Sequence, residues 1–170
     1  MNDMKTERII HAFSPVFDSE SRILVLGTMP SPKSRELGFY YSHPRNRFWP
    51  VLAKLFGEEV PETPEEKADF CLRRKIALWD VLKECDIEGA SDSSIKNAVP
   101  NDISVILKNA DIKAVFTTGA TAAKLYKKFS GQKAGTHLYK RKREYHLKQR
   151  RKICRQLFSF LCCQDRKNPR

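Results

Sequence analysis

Three short apolar runs constrain what this chain can fold into. Ile23 to Leu26, Ile76 to Trp79 and Ile112 to Thr118 have the length of buried strands, and each meets a strand-ending residue: Gly27, Asp80 or Gly119. Between and after them the spacing turns helical. Phe48, Leu52, Leu55 and Phe56 share one helical face that stops at Gly57, with Pro50 marking either the helix start or a kink. Thr63-Pro64-Glu65-Glu66 supplies an N-cap, a first-turn proline and a capping-box glutamate for a helix to about Arg74. Asn101 or Asp102 caps a helix holding Ile103, Ile106 and Leu107, and Ala120 to Phe129 forms the last. The stretch from Asp86 to Asn101 reads as polar loop. Such alternation predicts an α/β fold, a three-layer α/β/α sandwich around a central, mainly parallel sheet. Ligands of such sheets sit at the carboxyl ends of the strands, here the loops after Leu26, Trp79 and Thr118.

At 170 residues, one domain with one core is expected. No apolar stretch reaches membrane-spanning length and the N-terminus lacks a secretory pattern, so a cytoplasmic protein without membrane contact is expected. Five cysteines (Cys71, Cys85, Cys154, Cys162, Cys163) are odd in number and contain no CxxC. They form no ligand-like cluster with His11, His43, His137 or His146. No metal and no cofactor are expected, and the thiols read as buried or incidental.

The net charge of +12 is unevenly spread. Residues 134–170 hold 12 Lys and Arg against Glu144 and Asp165, a net +10, which leaves +2 for the 133 residues before them. The chain therefore divides into an α/β domain, 1–133, and a basic tail, 134–170. Such a tail binds nucleic acid or an anionic surface by counterion release, or is simply solvated; charge does not separate these. Within it, KRKREYHLKQRRKICRQ has no clean strand, although Leu147, Ile153, Leu157, Phe158 and Leu161 permit a ragged amphipathic helix.

The chemistry concentrates between Gly27 and Trp49. A Gly/Pro/Ser loop follows the first strand directly, then Phe39, Tyr40, Tyr41, His43, Arg45, Asn46 and Arg47 fall within nine residues. Flat aromatic faces, an amide and paired cations suit a nucleobase held beside a phosphate backbone. Gly27-Thr28-Met29-Pro30-Ser31 followed by Gly38-Phe39-Tyr40-Tyr41-Ser42-His43-Pro44-Arg45-Asn46-Arg47-Phe48-Trp49 resembles the first motif of the uracil-DNA glycosylase superfamily, most closely its hypoxanthine-DNA (deoxyinosine) branch. Ile76 to Leu82, Ser91 to Asn97 and Val115 to Gly119 support the resemblance, which spans roughly residues 8–133.

The resemblance implies a monomeric, monofunctional glycosylase that flips a deaminated base out of damaged DNA and hydrolyses its bond to the sugar. Hypoxanthine is the first substrate implied, with uracil or mismatched bases as the alternative. Mismatch-type relatives carry a water-positioning Asn at the third position of the first loop. Here that position is Met29; the deoxyinosine branch likewise lacks that Asn, and the resemblance implies that an Asn further on, matched here by Asn46, serves instead, the other reading of Asn46 being a helix cap. Tyr41 matches the base-stacking position, against core packing. Gly27, Thr28, Met29, Ser31, Tyr40 and His43 are the further base-binding candidates; Tyr40 and His43 read equally well as structural residues. Ser31 is a candidate for phosphate or base contact and Arg45 and Arg47 for phosphate contact, against the reading of the two arginines as ordinary exposed helix residues; Asp80 either reaches the site or merely ends its strand. The superfamily's second motif, a loop entering the minor groove, has no counterpart after Lys133. A diverged or frameshifted end is one reading, testable in the other two nucleotide frames. An inactive DNA-binding derivative is the competing function.

Overall fold

A computed structural model describes residues 6–131. The strands are β1 (Thr6–Ile10), β2 (Ile23–Gly27), β3 (Ile76–Asp80), β4 (Leu82–Glu88), β5 (Lys96–Pro100) and β6 (Ala114–Thr117). The helices are α1 (Pro32–Glu36), α2 (Phe48–Phe56), α3 (Pro64–Arg73), α4 (Ser104–Asn109) and α5 (Ala120–Ser130).

β2 and β3 are buried at every position, as continuous apolar runs covered on both faces must be. They pair in parallel, with β6 on the other side of β2, in the order β3-β2-β6. Leu26 lies opposite both Trp79 and Thr117, and Gly27 opposite Asp80, so the three carboxyl ends are flush.

The expected single, mainly parallel sheet is corrected by the other three strands. β1, β4 and β5 form a separate antiparallel sheet in the order β1-β4-β5. Its origin is local. After Asp80 the chain turns no loop: Val81 N–H donates to Gly27 O (2.9 Å), Leu82 N–H to Thr28 O (3.1 Å), and β4 begins at once. The polar loop expected over Asp86 to Asn101 instead holds the end of β4, a 3-10 turn (Asp92–Ser94) and β5. β5 exposes Lys96 and Asn97, and its pairing with β4 shifts register twice, which erases the period-2 pattern.

The helix signals of α2 and α3 hold, whereas the cap expected for α4 is corrected: Ile103, not Asn101 or Asp102, is its N-cap and makes no side-chain cap, because the Asn101 amide is turned to Asp80 O and Leu82 O. Pro50 sits in the first turn of α2, where no intrahelical acceptor awaits its N–H, and Gly57 takes the left-handed C-cap (φ 67°). Thr63 Oγ1 accepts from Glu66 N–H (3.2 Å) while Glu66 accepts from Thr63 N–H (3.1 Å), closing the capping box. Trp49 and Leu52 from α2, Phe70 and Cys71 from α3, Ile106 from α4 and Tyr126 from α5 join the strands in one core. Cys71 and Cys85 are free and buried within it. Among the described residues no helix is long and apolar enough to cross a membrane, and no three His, Cys, Asp or Glu side chains converge as metal ligands. The tail and the missing second motif fall on residues outside 6–131.

Candidate active site at the strand ends

A cavity of about 190 Å³ opens where β2, β3 and β6 end. Gly27, Thr28, Met29, Ser31, Tyr40, Tyr41 and Asn46, all expected in the site, line it together with Ser34, Asp80, Asp92 and Thr118. Gly27 is a steric requirement. A Cβ there would overlap Asp80 Oδ1 and lie 2.8 Å from the Tyr41 hydroxyl. Beyond it, Thr28 Oγ1 donates to Asp92 (2.9 Å), tying the loop to the 3-10 turn. Ser31 caps α1, accepting from Ser34 N–H (3.2 Å) and donating to Ser34 Oγ (3.1 Å). Met29 is half-buried against the core.

Tyr41 adopts a left-handed backbone (φ 53°), a strained conformation for a ring-bearing residue. Phe48 stacks on one face of its ring at 4.1 Å between centroids, and its hydroxyl meets Thr118 Oγ1 at 3.1 Å. The strain is thus held from two sides, and the ring bridges from the motif to the end of β6. Burial pushes the Tyr41 phenol well above its usual range, with Asp80 adding to the shift. Tyr40 is a core residue, 2% exposed, donating to Ser14 O (2.9 Å) and accepting from the Trp49 indole through its carbonyl (3.0 Å).

Asn46 braces the turn into α2, whose N-cap is Arg47, and lines the cavity at once. Its Oδ1 accepts from Phe48 N–H (2.9 Å) at the start of α2, which anchors the amide and leaves its NH₂ group to donate elsewhere. Three of the expected residues lie apart. His43 Nδ1 accepts from Arg45 N–H (3.0 Å) and shapes the turn, while Arg45 and Arg47 are exposed. None of the three lines the cavity.

Asp80 and His11 were the least legible in sequence. Asp80 is buried at the end of β3, and its Oδ2 lies 2.9 Å from His11 Nε2. Burial raises the Asp80 carboxyl above the ordinary carboxylate range and His11 pulls it back down. His11 arrives by topology: β1 pairs with β4, His11 N–H donates to Lys83 O (2.7 Å), and the chain then runs beside β3 to the Val16–Leu78 bridge. No local motif encodes that crossing.

A larger cavity of about 480 Å³ lies between α4 and α5, lined by Ile103, Leu107, Tyr126 and Phe129 among others. Its polar neighbours have structural partners: the Asn101 amide donates to Asp80 O and Leu82 O, and Asp102 accepts from Ser104 N–H. The smaller cavity gathers the chemistry.

Known proteins point the same way. The sequence profile of the uracil DNA glycosylase superfamily matches residues 14–159, and so continues past Lys133. A hypoxanthine DNA glycosylase of Methanosarcina barkeri is 36% identical over 109 residues, 63% of this chain and 69% of that protein. One of Methanosarcina acetivorans is 37% identical over 97 residues, 56% of this chain and 61% of that protein. A solution NMR structure from Methanosarcina acetivorans, provisionally described as a uracil DNA glycosylase, superposes with a TM-score of 0.70 at 26% identity. It covers 89% of this chain and 97% of its own.

Proposed function

The chain belongs to the uracil DNA glycosylase superfamily, and we propose that it excises a deaminated base from DNA, hypoxanthine first, leaving an abasic site. The observation that carries this reading is one cavity at three flush strand ends that combines Asn46, Tyr41 and a carboxylate beside the close-packed Gly27. The 36% identity to a hypoxanthine DNA glycosylase favours that base.

The nucleotide leaves the duplex and its base enters the cavity, exchanging stacking in DNA for contact with Tyr41. Phe48 already backs one face of that ring, so the base meets the other, against a platform that does not have to reorganise. The N-glycosidic bond breaks with its electron pair going to the base, and C1′ passes through an oxocarbenium-like state that water captures. Asn46, anchored by its bond from Phe48 N–H, donates its NH₂ to the leaving base or to that water. Met29 offers neither a donor nor a strong acceptor, so the first loop contributes shape and backbone N–H groups. Ser31, Arg45 and Arg47 contact phosphates at the mouth. His43 supports their turn. The protein acts as a cytoplasmic monomer without a metal or other cofactor.

Incubating the full chain with duplexes carrying inosine, uracil or no lesion, then cleaving at abasic sites with alkali, tests the reading. Cleavage of the inosine duplex above the undamaged one is expected. DNA binding without cleavage of any duplex would leave an inactive DNA-binding derivative instead.

A further inference from the structure

We propose that His11 and Asp80 form the dyad that reads the base: Asp80 Oδ1, fixed by His11, accepts the ring N–H that deamination creates. This rests on the glycosylase reading and names the group that selects its substrate.

The dyad's hydrogen bonds assign its protons. His11 Nδ1 accepts from Phe13 N–H (3.2 Å), so the ring hydrogen sits on Nε2 and is donated to Asp80 Oδ2. Asp80 Oδ1 is left on the Gly27 side of the cavity, with no hydrogen-bond donor among the described residues. Both side chains are withdrawn from water, His11 at 1% and Asp80 at 4% exposure. Asn46, by contrast, is exposed. A flipped base stays tethered to the backbone outside, so the edge opposite its glycosidic nitrogen travels deepest. Asp80 therefore meets that edge, while Asn46 stays near the sugar.

Donor and acceptor chemistry then decides what fits. An ionised carboxylate only accepts. Deamination converts the lone-pair nitrogen at N1 of adenine, or N3 of cytosine, into an N–H in hypoxanthine or uracil. The deaminated base satisfies Oδ1, whereas the parent base would set a lone pair against a desolvated anion. Guanine and thymine also carry a ring N–H, so the dyad separates deaminated bases from their own parents and leaves those two to the cavity's shape.

His11 is the positioning residue. The titratable groups facing Asp80 are His11, Tyr40, Tyr41 and Asp92, and His11 is the one that favours the anion. Without its hydrogen bond Asp80 takes up a proton at a higher pH and Oδ1 loses its accepting role.

The test uses the full chain and Asp80→Asn, His11→Leu and His11→Gln variants. Single-turnover excision from an inosine duplex is measured against pH. Binding is measured to duplexes carrying non-cleavable 2′-fluoro inosine or adenosine. In Asp80→Asn, His11 retains the amide oxygen in the Oδ2 position and turns the NH₂ toward the base, replacing an acceptor by a donor. Inosine excision should fall by about 10- to 100-fold or more, and the binding preference for inosine over adenosine should vanish or invert. His11→Leu should move the acid limb of the rate profile to higher pH. His11→Gln, which keeps a donor, should restore it; a merely structural histidine would alter stability and leave the limb in place. Asp80→Asn excision within about threefold of the parent, or an unmoved limb in His11→Leu, overturns the inference. If Asp80→Asn fails to fold, the two His11 variants decide. If the parent excises nothing, the glycosylase reading falls, and binding decides the dyad: no inosine preference, or one that survives Asp80→Asn, overturns it.

Discussion

Gly27→Ala is the most informative single perturbation of this site. The change adds one methyl group at a position with no left-handed φ, so no backbone strain accompanies it. Its cost is steric. The new Cβ would overlap Asp80 Oδ1 and crowd the Tyr41 hydroxyl, so both side chains would have to shift from the partners that hold them. His11 backs Asp80 from the far side, while Phe48 and Thr118 hold Tyr41. Overpacking of this kind costs ~1–3 kcal/mol, and each kcal/mol lowers the melting temperature of a chain this size by about 2–4 °C. Activity should suffer more than stability. A displacement of about 1 Å at the reacting geometry costs on the order of 100-fold in rate, so cleavage should drop by roughly that factor while the protein still melts cooperatively. Gly57→Ala is the control. Gly57 is left-handed with nothing within 4 Å of a new Cβ, so only conformational strain of about 1 kcal/mol is expected, with cleavage unchanged. Thermal unfolding and single-turnover cleavage of an inosine duplex read both variants. Gly27→Ala with parental melting and parental cleavage would refute the close packing of Asp80 and Tyr41 on β2.

Asn46→Asp keeps the oxygen that accepts from Phe48 N–H but removes the NH₂ donor; cleavage should fall at least about 100-fold with little change in melting. Parental cleavage in that variant would reduce Asn46 to a structural brace of the turn into α2. Tyr41→Phe keeps the stacking face and loses the bond to Thr118, so a loss of about threefold to tenfold is expected, whereas Tyr41→Ala should weaken binding of lesion DNA by ~1–3 kcal/mol. Thr63→Ala opens the capping box far from the cavity; it should cost about 1 kcal/mol in denaturant unfolding and nothing in cleavage.

Legibility in the sequence followed burial. β2 and β3 are continuous apolar runs and could be read directly, as could the capped start of α3 and the Gly57 stop of α2. β6 is shorter than its apolar run implies, because Ile112 and Lys113 remain in the turn that enters it. β1 and β5 escaped notice because most of their residues are exposed or half-exposed, and their pairing depends on a partner distant in sequence. Five-residue α1 was hidden in a Pro/Ser loop, although Ser31-Pro32 is a helix-start signal in retrospect. The site divides the same way. Residues contributed by one contiguous motif, from Gly27 to Asn46, were accessible because the motif folds back over the end of its own strand. His43, Arg45 and Arg47 belong to that motif yet do not line the cavity, since His43 is tied into the turn before α2 and the two arginines are exposed. Asp80 and His11 meet only because β1 pairs with β4, a contact across 69 residues that no spacing reveals.

The central claim is that this chain releases a deaminated base as a free molecule. Chromatography of the products from an inosine-containing duplex tests it most directly. Free hypoxanthine released one-for-one with alkali-labile sites, with the strand intact before alkali, is the predicted result. Strand breakage without free hypoxanthine, or no hypoxanthine above that from a heat-inactivated control, would contradict it.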